Sequence, residues 1–121
     1  MIELHLTTEQ ANVVAQACEF FVRIKMGQFD EITFLCLSHS LSGDDYCSRR
    51  ELAEKSLLEA RKVIYPELHG IGHSYGIGKF VDADRAFDVY QVLRYALRDP
   101  RTPFSLDEPL PFCINKKEVE K

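Results

Sequence analysis

The densest run of chemically unusual residues is 69–80, His-Gly-Ile-Gly-His-Ser-Tyr-Gly-Ile-Gly-Lys-Phe, which holds four of the chain's six glycines. Glycines just ahead of a helix N-terminus let main-chain N–H groups converge on an anion, and the helix end favours negative charge. Lys79 adds a cation beside Gly76 and Gly78, and His73 adds a ring nitrogen. Tyr75 and Phe80 offer flat faces on which a base can stack. The pattern is not a P-loop, because Phe80 follows Gly78-Lys79 where a serine or threonine is needed. It is not a dinucleotide fingerprint either, since no strand precedes Gly70. Two readings are open: a phosphate- or nucleotide-binding loop, or a connector whose glycines permit turns.

Two other groups could join such a site. Arg23 and Gln28 flank Gly27 inside Phe20–Phe29 and could form a pocket wall. The plainer reading buries Phe21 and Ile24 and leaves Arg23 and Lys25 in water. Arg94 and Tyr95 sit near a helix end, where an arginine can bind phosphate and a ring can stack. A cation at that end also suits the helix dipole by itself. The candidate ligand set is therefore Arg23, Gln28, His73, Tyr75, Gly76, Gly78, Lys79, Phe80, Arg94 and Tyr95. Phosphates would rest on the Gly76–Gly78 amides, Lys79, and Arg23 or Arg94.

Other chemistries find less support. No Ser–His–Asp or Cys–His arrangement can be assembled from spacing alone, so no catalytic residue is assigned. A pair among the nineteen acids stays open as an acid–base couple. His69 and His73 have helical metal spacing, but the intervening glycines disfavour a helix. Asp82, Asp84 and Asp88 are explained more simply by helix capping and the dipole. No metal or cofactor is expected. Cys18, Cys36, Cys47 and Cys113 form no C-x-x-C pair, and Cys18 and Cys36 read as small core residues.

These residues must be positioned by a mainly helical α+β fold. Ile2, Leu4 and Leu6 alternate with polar residues, which predicts a short strand. Thr7 and Gln10 form a capping box that opens a helix from Thr8 to about Lys25. Val14, Ala17, Cys18, Phe21 and Ile24 form its apolar stripe. Gly27 then kinks that helix or separates it from a second one over about 28–37. Ser38–Asp45 reads as a loop. Ser48 and Glu51 form another capping box, opening a helix through about Ile64 with Leu52, Ala53, Leu57, Ala60 and Ile64 inward. Asp82 or Asp84 caps a third helix to about Arg98, with Ala86, Val89, Tyr90, Leu93 and Leu97 inward. Three amphipathic helices and a two-stranded ribbon result, the ribbon pairing Ile2–Leu6 with Phe112–Ile114. Residues 1–115 are expected to form one globular domain, with 116–121 frayed.

At 121 residues the chain is long enough to bury about two thirds of its unfolded surface without disulfides or metal. No apolar run reaches the ~18 residues of a membrane span. The first residues show neither a basic stretch nor an apolar one, so no secretory signal is expected. A formal net charge of −4 argues against coating of bulk nucleic acid.

The residues also carry a resemblance. A helix is followed by Arg23-Ile24-Lys25-Met26-Gly27-Gln28-Phe29-Asp30-Glu31-Ile32, then Ser74-Tyr75-Gly76-Ile77. Next come Asp84-Arg85-Ala86-Phe87-Asp88-Val89-Tyr90-Gln91-Val92-Leu93-Arg94-Tyr95 and an acidic, proline-bearing tail, Asp107-Glu108-Pro109-Leu110-Pro111. In this order the chain resembles short accessory proteins of bacteriophages and prophages. The resemblance implies a phage origin, the cytoplasm of the host bacterium and no assigned catalytic residues. Such proteins often counter host defence. The leading expectation is a non-enzymatic protein that sequesters a small nucleotide-like immune signal. The alternatives are a protein-binding inhibitor of a host defence effector and a small hydrolase of the same signal. A homodimer or higher homo-oligomer would give the ribbon the cover it needs.

Overall fold

The computed structural model describes residues 2–38, 41–70 and 72–98. Four helices run along them: α1 (Thr8–Lys25), α2 (Glu31–Cys36), α3 (Gly43–Ile64) and α4 (Val81–Arg98). Contacts divide the chain into two compact units, one of Met1–Val22 with Ile77–Lys121 and one of Arg23–Gly76. The boundary falls inside α1, between Val22 and Arg23.

The expected ribbon is not formed. No strand occurs among the described residues, and the fold there is helical throughout. Ile2 and Leu4 are largely exposed, so the alternation of Ile2, Leu4 and Leu6 marks no buried face. Ile2–Leu6 has no ladder partner among the described residues, and an alternating pentapeptide forms no sheet alone. The proposed partner strand, 112–114, and the frayed segment 116–121 lie outside the described residues.

In the first unit, α1 starts as its local sequence demands. The Thr7 N–H donates to Gln10 Oε1 at 3.0 Å, and the Gln10 N–H donates to Thr7 Oγ1 at 3.1 Å. This reciprocal capping box satisfies two donors that a helix start leaves open. Ala15 and Val22 are the buried residues of α1, whereas Ala17 and Phe21 are exposed. The buried line is thus rotated by about one residue from the expected stripe. On α4, Ala83, Asp88 and Val92 are buried, and the expected stripe residues are half-buried beside them. Tyr90 of α4 hydrogen-bonds to Glu19 of α1. Burial and this bond both push the Tyr90 hydroxyl above its ordinary value.

In the second unit, Gly27 ends α1 in a Schellman turn. Gly27 has φ +94°, its N–H donates to the Ile24 carbonyl at 3.0 Å, and the Gln28 N–H donates to the Arg23 carbonyl at 2.9 Å. The other two terminal carbonyls of this end are also taken. Tyr65 Oη donates to the Lys25 carbonyl at 2.8 Å, and the Tyr75 N–H donates to the Met26 carbonyl at 2.9 Å. A left-handed glycine is therefore required here, and space requires it as well. A Cβ on Gly27 would stand 2.6 Å from Leu68 Cδ1. Met26, Phe29 and Leu68 are buried around the turn, and Phe29 lies 6.0 Å from the Tyr65 ring, centroid to centroid.

Two helices, α2 and α3, follow the turn and pack on each other. The sequence reading left open a kink or a second helix at Gly27, and a separate short helix is what forms. The start of α3 differs from expectation. It begins at Gly43, five residues before Ser48, with the Ser42 hydroxyl accepting from the Asp45 N–H at 3.4 Å. Ser42, Asp44 and Asp45 supply a cap and first-turn negative charge earlier in the chain than the Ser48–Glu51 pair does.

Candidate ligand cleft

The inward face of α3 is only in part the expected one: Ala53 and Leu57 are half-buried. Leu52, Ala60 and Ile64 are exposed. Arg50, Glu54, Leu57, Leu58 and Arg61 share the cleft face, spaced by 4, 3, 1 and 3 residues as a helix requires, and of the expected stripe Leu57 lies on it. They face Gly27, Phe29, Asp30 and Phe34 across a cleft of about 400 Å³, with Lys55 at its border. That volume lies in the range of small-molecule sites, which are mostly apolar with a few placed polar groups.

The two ends of the α3 face differ electrically. At one end, Arg50 Nε donates to Glu54 Oε1 at 3.0 Å, and its guanidinium lies 5.3 Å over the Phe34 ring. That pair is internally neutral. At the other end, Arg61 is 5% exposed and has no carboxylate partner among the described residues. Nη1 donates to the His73 carbonyl at 2.8 Å, and Nη2 donates to the Gly70 carbonyl. Its buried Nε has no hydrogen-bond partner among the described residues. A buried cation with an unused donor is costly, and such a group calls for an explanation. Carboxylates and phosphates match the guanidinium fork with two parallel hydrogen bonds.

The residues picked out from sequence take different parts. Arg23, Gln28, His73, Tyr75 and Gly76 belong to the second unit; Gly78, Lys79, Phe80, Arg94 and Tyr95 belong to the first. Within the second unit Arg23, Gln28 and Tyr75 brace the Gly27 turn, whereas His73 and Gly76 are exposed. Arg23 Nη1 donates to Gln28 Oε1 at 3.0 Å and pairs with Glu31 at 3.4 Å. Gln28 Nε2 donates to Ser74 Oγ at 3.5 Å, and Tyr75 Oη hydrogen-bonds to Glu67. The Tyr75 ring stands edge-on to Tyr65 at 5.3 Å.

Comparison with models of protein families, with curated proteins and with solved structures finds no match.

In the first unit, the Gly78 amide already has an anion. It donates to Asp84 Oδ1 at 3.0 Å, at +98° φ, so a carboxylate of the chain sits where the phosphate was expected. Asp82 Oδ1 accepts from the Ala83 N–H at 2.8 Å. Helix α4 itself begins at Val81, before either aspartate. Lys79 is exposed, Phe80 and Tyr95 are half-buried, and the Arg94 guanidinium lies 5.5 Å over the Tyr90 ring.

Sequence reasoning passed over Arg50, Arg61 and the cleft. One signal was present: two arginines eleven residues apart on a helix, with Leu57 and Leu58 between them on the same face. Nothing local showed that Arg61 would be buried, because its partners are carbonyls of a later loop.

Proposed function

We propose that this chain is a non-enzymatic binding protein whose cleft holds a small, anionic, nucleotide-derived ligand. The anion engages Arg61, and a ring lies along the Phe29 and Phe34 wall. The observation that carries this reading is the buried Arg61 guanidinium, lining the cleft with an Nε that has no partner among the described residues. Glu54 is engaged by Arg50 and is less available as a general base. On the resemblance to phage accessory proteins, the ligand is an immune signal and the site of action is the host cytoplasm. Sequestration needs only affinity and abundance. No helix among the described residues is long and apolar enough to cross a membrane.

The experiment is calorimetric titration of the full chain with nucleoside monophosphates, cyclic mono- and dinucleotides and ADP-ribose. At least one compound is expected to bind and to be recovered intact by mass spectrometry. Arg61→Lys, which keeps charge but loses the fork, should weaken binding at least tenfold, about 1.4 kcal/mol. Phe34→Ala, on a partly exposed side chain, tests the aromatic wall without risk to the core. If no compound binds, or if Arg61→Lys binds as tightly as the parent, the reading is wrong. Conversion of the ligand would replace it with the hydrolase reading.

One observation favours a host protein as the partner instead. Ile32, Phe34 and Leu35 expose apolar surface on α2. Loss of effector capture on Leu35→Glu, with nucleotide binding absent, would establish that alternative.

A further inference from the structure

Arg50 and Glu54 stand one turn apart on the cleft face of α3, at the end away from Arg61. Arg50 Nε donates to Glu54 Oε1 at 3.0 Å. That bond leaves both Nη groups of Arg50 and Oε2 of Glu54 without a hydrogen-bond partner among the described residues. The two side chains are 43% and 40% exposed, so these atoms are open to a ligand. An exposed pair of this kind adds little to stability. This one is nevertheless held in place, because the guanidinium also lies 5.3 Å over the Phe34 ring. Ring and carboxylate fix it from two sides before a ligand arrives, which lowers the ordering cost of binding.

A guanidinium fork beside a carboxylate complements one base edge. Guanine presents N7 and O6 as acceptors and, next to them, N1–H and N2–H as donors. An arginine fork takes N7 and O6, and a carboxylate takes the two N–H groups. Adenine sets its amino group between two acceptors, cytosine sets its amino group beside two, and uracil sets one N–H between two carbonyls. With those bases the carboxylate finds a single donor group and faces an acceptor, which costs affinity. The spacing also suits one nucleotide. Glu54 and Arg61 are seven residues apart, about 10 Å of rise and within about 20° of one direction. Leu57 and Leu58 line the stretch between them, apolar where a base and its ribose would lie.

We infer that Arg50 and Glu54 read the base and that the ligand is a guanine mononucleotide. The Arg50 fork holds N7 and O6, Glu54 holds N1–H and N2–H, and the phosphate meets Arg61. This rests on the reading of the cleft as a nucleotide site and adds the identity of the base.

Calorimetric titration of the full chain with the monophosphates of guanosine, inosine and adenosine tests it. The guanosine compound should bind at least tenfold more tightly than the adenosine compound. Inosine, which lacks only the N2–H donors, should fall between them. Glu54→Gln trades one acceptor for a donor. It should weaken the guanosine compound at least tenfold, leave the adenosine compound nearly unchanged and keep the parent's Tm. Arg61→Lys should weaken all three in proportion. The inference is overturned, with the cleft reading intact, if the adenosine compound binds as tightly as the guanosine one. The same holds if Glu54→Gln weakens all three alike, or if guanosine monophosphate fails to bind while another nucleotide does. If no nucleotide binds at all, both fail.

Discussion

Arg61 donates from Nη1 to the main-chain carbonyl of His73 at 2.8 Å. With the bond to Gly70, it fastens the glycine-rich segment to α3 from beneath. The segment that drew attention as a ligand loop is thus held through its own carbonyls, and the cation that holds it lines the cleft.

Arg61→Met keeps most of the apolar stem and removes both bonds. It should cost about 2–4 kcal/mol, because two carbonyls lose charged donors. Urea unfolding measures the loss. Hydrogen exchange at Tyr75, whose N–H bonds to the Met26 carbonyl, should quicken in the same variant. Unchanged stability would mean that water replaces the guanidinium freely.

Gly27→Ala meets two penalties at one position, the +94° φ and Leu68 Cδ1 at 2.6 Å. A loss of about 2 kcal/mol is expected, seen as a lower Tm. Gly43→Ala is the control. It has open space and no positive φ, so the change should stabilise by roughly 0.5 kcal/mol. Equal effects at the two glycines would refute the argument from backbone geometry.

Tyr90 gives the fold an alkaline limit. Burial, with the Glu19 bond adding to it, raises the hydroxyl above its unfolded value. The folded state then keeps its proton at pH values where the unfolded chain loses it. The stability this provides is whole below about pH 10, the ordinary tyrosine value, and is lost as pH rises through the higher folded value. Tyr90→Phe should lower stability at neutral pH by about 1 kcal/mol, the size of one hydrogen bond. It should also flatten the decline above pH 10. Chemical denaturation at pH 7, 9 and 10.5 distinguishes the two effects.

The cysteines should separate by reactivity. Cys36 and Cys47 are exposed, whereas Cys18 is half-buried and its thiol is pushed up by burial. The thiolate is the nucleophile, so a raised value slows attack. Timed alkylation of the folded chain near pH 8, read by peptide mass spectrometry, should label Cys36 and Cys47 well before Cys18. Early labelling at Cys18 would show that α1 opens on its own.

Local chemistry was legible in the residues themselves. The Thr7–Gln10 capping box, the break at Gly27, the end of α3 before Pro66 and the extent of α4 all follow from hydrogen bonds and torsions within a few residues. The faces were less legible. Leu52 and Val63 are apolar yet exposed, and Arg61 is charged yet buried. Periodicity orients a stripe but does not say which side another element will cover.

The sequence by itself determined a mainly helical chain, where its helices begin or break, and a reserve of glycine near residue 70. Only the tertiary structure decided that the termini-borne ribbon has no strand among the described residues, that Asp84 claims the Gly78 amide, and that Arg61 is buried. The physical reason is range. Caps and turns are satisfied by neighbours along the chain, and their residue types announce them. The environment of Arg61 depends on carbonyls nine and twelve residues away, which any residue could supply and no residue type reveals.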